Sequence, residues 1–67
     1  MEENWQKVYS SSVEYKVGIV KAVLEESGIN SVIVNKKDRA YLFGEIELYV
    51  NADDVLRAKQ IINKEEL

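Results

Sequence analysis

A chain of 67 residues with no cysteine and no histidine must hold its fold by packing alone. A domain this small buries only about 60% of the surface its unfolded chain exposes. Scaffolds of this size are usually reinforced by disulfides, a structural metal or self-association. The first is impossible here, and no Cys/His cluster exists for the second. What remains is a well-packed apolar core, with self-association as an open route to more buried surface. The same two absences remove the usual general acid/base and the usual thiol nucleophile. A binding or sensing role is therefore expected ahead of catalysis.

Apolar residues make up 46% of the chain and charged residues 31%, a globular rather than disordered balance. The net charge of −3 is spread without any block of five like charges. An acidic domain repels phosphate backbones, so no nucleic-acid partner is expected. The opening MEENWQKVY has neither the basic nor the apolar stretch of a signal peptide. No run approaches the roughly 18 apolar residues of a membrane helix. A cytoplasmic location without membrane attachment is the expectation.

Hydrophobic periodicity divides the chain into five elements. Residues 5–10, WQKVYS, are aromatic and β-branched and read as a strand. Ser11 and Glu14 have the spacing of a capping box. Val13, Val17, Val20 and Leu24 then mark one face of a helix over 12–27. Gly28 suits the left-handed position after the last turn, with Ile29 packing back on Leu24. Residues 31–35 form a short β-branched strand. Lys36, Lys37, Asp38 and Arg39 form a polar turn, and the apolar residues 40–43 either extend the hairpin or fold over the sheet. Residues 45–50 alternate as a third strand with Ile46, Leu48 and Val50 inward. Asn51 caps a second helix over 52–63, with Asp53 and Asp54 where the macrodipole favours them. Val55, Ala58 and Ile62, flanked by Ile61, face its core side, and the tail from Lys64 is expected to fray.

The order β-α-β-β-α predicts a single α+β domain, a ferredoxin-like unit lacking its last strand. The three strands form an antiparallel sheet in order 1-3-2, with both helices on one face. With Val8, Val32 and Val34 assigned to the helix side, the opposite face would carry Trp5, Lys7, Tyr9, Ile33, Glu47 and Tyr49. Trp5, Tyr9, Ile33 and Tyr49 form the candidate contact face for a protein or small ligand. Three fates are open to it: cover by residues 40–43, self-association, or an external partner. RNA stacking on such aromatics is disfavoured by Glu45, Glu47 and the lack of a basic stripe. The first strand would also have one open edge, at Lys7 and Val8, able to pair with a second copy or a peptide strand. Tyr15, Ile19, Ala22 and Val23 broaden the apolar surface of the first helix and are expected to pack against the second, with Tyr15 the least buried.

The remaining polar residues carry no evident chemistry. Asp38, Asp53, Asp54, Glu45 and Glu47 lack the loop spacing of a cation site, so no metal and no cofactor are expected. Ser10, Ser11 and Ser12 have no histidine to activate them, and capping explains them better. Lys36, Lys37 and Arg39 read as a solvated turn. Gly18, Gly28 and Gly44 form no phosphate-binding motif.

Four segments resemble a small bacterial family described as putative signal-transducing proteins, a domain of unknown function. They are W-Q-K-V-Y-S, V-L-E-E-S-G-I-N, E-L-Y-V and A-D-D-V-L-R-A-K-Q-I-I. The resemblance spans about residues 5–62 and rests mainly on the apolar frame with Leu24, Gly28, Ile29, Val50, Asp54 and Ala58. It implies a ferredoxin-like fold similar to the PII signalling proteins. It does not imply PII activity, because the connection from Lys36 to Glu45 is far shorter than a PII nucleotide loop, and nothing marks Tyr41 in it as a modification site. The metal-binding extension of some relatives is not transferred to a chain without cysteine. The function expected is a non-enzymatic binding or regulatory module in signal transduction. The alternative is a structural homo-oligomer, such as a homodimer, joined by sheet edge or face.

Overall fold

A computed structural model of the chain describes residues 4–36, 44–65 and 67. The expected turn at Lys37, Asp38 and Arg39 and the cover by residues 40–43 lie outside these. Strand β1, Trp5–Ser11, leads into helix α1, Glu14–Glu26. Strands β2, Ser31–Asn35, and β3, Ile46–Asn51, follow. A single 3₁₀ turn, Ala52–Asp54, opens helix α2, Val55–Lys64. The sheet is antiparallel throughout in the order β1-β3-β2. The architecture is the expected α+β, ferredoxin-like βαββα.

The core forms where three apolar stripes meet. β3 alternates, and its inward residues Ile46, Leu48 and Val50 are buried. Val17, Val20 and Leu24 of α1 and Ala58 of α2 close over them, joined by Ile29. Val8, Tyr9, Val55, Ile61 and Ile62 pack around that cluster. Both helices thus contribute to one core on one side of the sheet.

The end of α1 fixes how the chain re-enters the sheet. Gly28 takes φ +80°, the left-handed region. Its N–H donates to the Glu25 carbonyl and the Ile29 N–H to the Leu24 carbonyl, each at 3.0 Å. This is the Schellman pattern, and it brings Ile29 against Leu24 with both fully buried. The start of α1 differs from expectation. The Ser11 hydroxyl accepts from the Val13 N–H at 3.0 Å, and Val13 itself occupies the N-cap position. The capping box does not form, because the hydroxyl is spent on a tight turn before the helix. Asn51 does cap as expected, its Oδ1 accepting from the Asp53 N–H at 3.0 Å. The tail does not simply fray: α2 runs to Lys64, and the Leu67 N–H donates to the Ile62 carbonyl at 3.1 Å.

Two strand orientations correct the sequence reading. Ser31 pairs opposite Val50 and Ile33 opposite Leu48, so Ile33 faces the helix side. Val32 and Val34, expected inward, lie opposite Tyr49 and Glu47 and face away from the helices. Ile29 is the physical reason. Once the Schellman ending places it in the core, every second residue after it shares that side. On β1 the register shifts between Lys7 and Tyr9, leaving Val8 in a bulge. The extra residue reverses the alternation, so Tyr9 joins Val8 against the core and leaves the open face. On the flank of α1, Tyr15 is the most exposed, as expected, at 68%, whereas Ile19, expected to pack on α2, stays 48% exposed because α2 lies over β1 and β3.

A Cβ at Gly28 would meet nothing within 4 Å, so a substitution there tests the backbone alone. Gly28→Ala should cost about 1–2 kcal/mol in urea unfolding, the price of a left-handed L-residue. Ser31 is only 8% exposed, and its hydroxyl has no partner among the described residues. Ser31→Ala should therefore be neutral or stabilise the fold by about 1 kcal/mol, since it removes a buried polar group without a bond.

Candidate functional site: the open face of the sheet

The face of the sheet turned away from the helices is built in rows. Lys7, Tyr49 and Val32 lie side by side across the three strands, and Ser10, Glu47 and Val34 form the next row. Trp5 sits beyond Lys7, opposite Asn51, and is half-buried. Val32 is 39% exposed. The result is a shallow apolar surface of Trp5, Tyr49, Val32 and Val34 around one carboxylate.

That carboxylate is Glu47, whose side chain is only 15% exposed. The Tyr49 hydroxyl donates to it at 2.8 Å. The ammonium groups of Lys36 and Lys7 approach from the two outer strands at 3.3 and 3.6 Å. One row further on, the Ser10 hydroxyl donates to Glu45 at 3.0 Å. The hydrogen bond from Tyr49 holds the Glu47 carboxyl below the usual glutamate value. Partial burial opposes it, and the bond and charge of Lys36 and the charge of Lys7 reinforce it. Lys36 is raised in turn by its hydrogen bond to Glu47 and the charge of that group. Both lysines are about half in water, so these pairs orient Glu47 and Tyr49 more than they stabilise the fold.

Of the residues expected on the contact face, Trp5 and Tyr49 are there. Tyr9 and Ile33 are on the helix side. Tyr9 lines a groove with Tyr15, Ile19, Val20 and Leu67, and Ile33 lines another with Glu14, Tyr15 and Gly18. Lys7 lies on the open face with its charge turned to Glu47, and Val8 packs on the core. Val32, Val34 and Lys36 belong to the face and were missed. The signal for them was Ile29, from which the parity of β2 could have been counted. The bulge at Val8 has no such signal.

Among the described residues no group of three or more potential ligands could hold a metal ion, and no helix is long and apolar enough to cross a membrane. The open face presents a preformed surface with fixed polar groups.

The profile of a family described as "putative prokaryotic signal transducing protein" matches residues 5–66. The chain belongs to that family. The family's description names signal transduction and no reaction, ligand or partner. The match takes in every element of the fold and every residue of the open face. No curated protein and no solved structure matches the chain.

The Glu47 cluster has a signature in pH. A carboxyl held low in the folded state stabilises it above the unfolded glutamate pKa of about 4.3. That contribution is lost as the pH falls through the lower folded value. The Lys36 contribution is complete below about pH 10.4 and is lost as the pH rises through its raised value. Tyr49→Phe should move the Glu47 titration, followed by carboxyl carbon NMR, back toward 4.3. Glu47→Gln should flatten stability against pH on the acid side.

Proposed function

We propose that the chain is a non-enzymatic regulatory module of a cytoplasmic signalling system. It works by docking a partner protein on the open face of its sheet. The observation that carries this reading is the surface of Trp5, Tyr49, Val32 and Val34, uncovered by either helix and centred on an oriented Glu47–Lys7–Lys36 cluster. Aromatic side chains on a rigid sheet supply contact area at little entropic cost, and aromatics are the residues that most often dominate binding. The fixed charges add specificity, because a partner must match one carboxylate flanked by two ammonium groups. A small flat ligand could use the same aromatics, but an open face without a deep cavity fits a protein surface better. The family description supports signal transduction at this general level.

The test is a paired substitution, Trp5→Ser with Tyr49→Ser. A partner recovered with the wild-type chain should lose affinity by about 2 kcal/mol or more per aromatic, while the helical circular dichroism is unchanged. Trp5 is the single tryptophan of the chain, so its emission should also shift as the wild type is titrated with that partner. Equal binding by the folded double variant would place the contact elsewhere. Loss of the fold would assign both aromatics to the core.

A further inference from the structure

Helix α1, with Val13 at its N-cap, carries two stripes of the same spacing. Val13, Val17, Val20 and Leu24 run at steps of 4, 3 and 4, and the last three are buried in the core. Tyr15, Ile19, Ala22 and Glu26 repeat those steps two residues further on, and all four are exposed. Apolar side chains thus lie on opposite sides of one helix, where a surface helix normally turns charges to water. Ile33 borders the outer stripe on one side and Leu67 on the other, each lining a groove that Tyr15 shares. Tyr15, Ile19, Ile33 and Leu67 are four of the six large apolar side chains left exposed among the described residues, so the exposed apolar surface gathers on this helix.

The stripe also ends in opposite charges. Glu26 sits in the last turn of α1, which holds no basic residue, and a carboxylate there opposes the helix dipole. The cations nearest in the fold are committed elsewhere. Lys21 pairs with Glu25 at 2.6 Å, and Arg57 pairs with Asp54 at 3.7 Å and donates to the Ser27 carbonyl at 3.5 Å. At the other end, Lys16 has no acidic partner among the described residues. The outer surface of α1 is therefore positive at its start, apolar in the middle and negative at its end. Beside it lies Gly18, a residue that weakens a helix relative to alanine. A Cβ there would meet nothing within 4 Å, so no neighbour among the described residues requires the glycine.

We infer that the outer stripe of α1 packs antiparallel on the same stripe of a second copy, about a two-fold axis between Ile19 and Ala22. A second copy is the occupant that the charges select. Antiparallel packing sets Ile19 against Ala22 of the other copy, and Tyr15 and Lys16 against its Glu26, each contact made twice. Parallel packing would instead set Lys16 on Lys16 and Glu26 on Glu26. Steps of 4 and 3 are the repeat by which two helices interlock their side chains. The cation from the other copy offsets the carboxylate at the helix end, and the two helix dipoles lie opposed. Gly18 flanks the seam, where a bare Cα lets the second backbone approach closely. One helix from each copy makes a small contact, so the dimer dissociates on dilution. The stripe lies on the helix side of the sheet, so the dimer leaves both open faces free. The inference thus stands apart from the docking proposal.

The test uses the full chain. Sedimentation equilibrium from low micromolar to millimolar concentration should show the mass rising toward twice 7.7 kDa. Ile19→Lys brings two ammonium groups together near the axis and should weaken the dimer about a hundredfold. Lys16→Glu and Glu26→Lys each oppose like charges twice and should each weaken it about tenfold. Mixed in equal amounts, these two variants restore both pairs and should associate as tightly as the wild type. All three positions are exposed, so the helical circular dichroism should not change. The chain has no cysteine, so a single introduced thiol reports direction. Mild oxidation should cross-link Ala22→Cys, near the axis, and spare Glu26→Cys, at the far end of the seam. A wild type that stays monomeric at millimolar concentration overturns the inference. So does a folded Ile19→Lys variant that dimerises like the wild type, a mixture as weak as its two components, or faster cross-linking of Glu26→Cys. If Ile19→Lys loses its helical circular dichroism, the mixing experiment decides.

Discussion

The structure depends on β3 having two sides with different work. Ile46, Leu48 and Val50 are the floor of the core, and Glu47 and Tyr49 between them are the centre of the open face. β3 is also the middle strand, hydrogen-bonded to both neighbours. Its alternation therefore sets which side chains of β1 and β2 meet the helices and which lie on the open face. The two helices close one side of the sheet, and among the described residues the other side carries polar clamps and aromatics. The core and the open face both follow from one strand of six residues.

The polar cluster explains how so small a domain keeps its open face in one shape. Glu47 is held by Tyr49 on its own strand, by Lys7 of β1 and by Lys36, the residue that follows β2. Each contact is weak in water. Together they tie the three strands across the face and fix the Tyr49 ring. A surface with its rotamers already fixed loses less entropy on binding. This is the physical link between the fold and the docking role proposed for the open face.

Much of the fold was legible because its signals are local. The Gly28–Ile29 ending, the Asn51 cap, the alternation of β3 and the strand order all follow from residue types at fixed spacing. Side-chain parity was harder, since it depends on where a strand is anchored. Ile29 anchors β2, and two residues onward that turns Ile33 to the helices and Val32 and Val34 to the open face. On β1 the bulge falls at Val8 without a glycine to announce it, and it carries Tyr9 to the core side. Trp5 and Tyr49 were legible because they precede or avoid both irregularities. The capping box at Ser11 and Glu14 failed for a related reason, since Ser11 still belongs to β1 and caps the turn instead.

The claim on which the account rests is the orientation of the outer strands around β3. Side-chain nuclear Overhauser effects measure it directly. The account predicts cross-peaks from the Val32 methyls to the Tyr49 ring and from the Ile33 methyls to the Tyr15 ring. Contacts from Ile33 to Tyr49, with Val32 turned toward α1, would contradict it and return β2 to the opposite face.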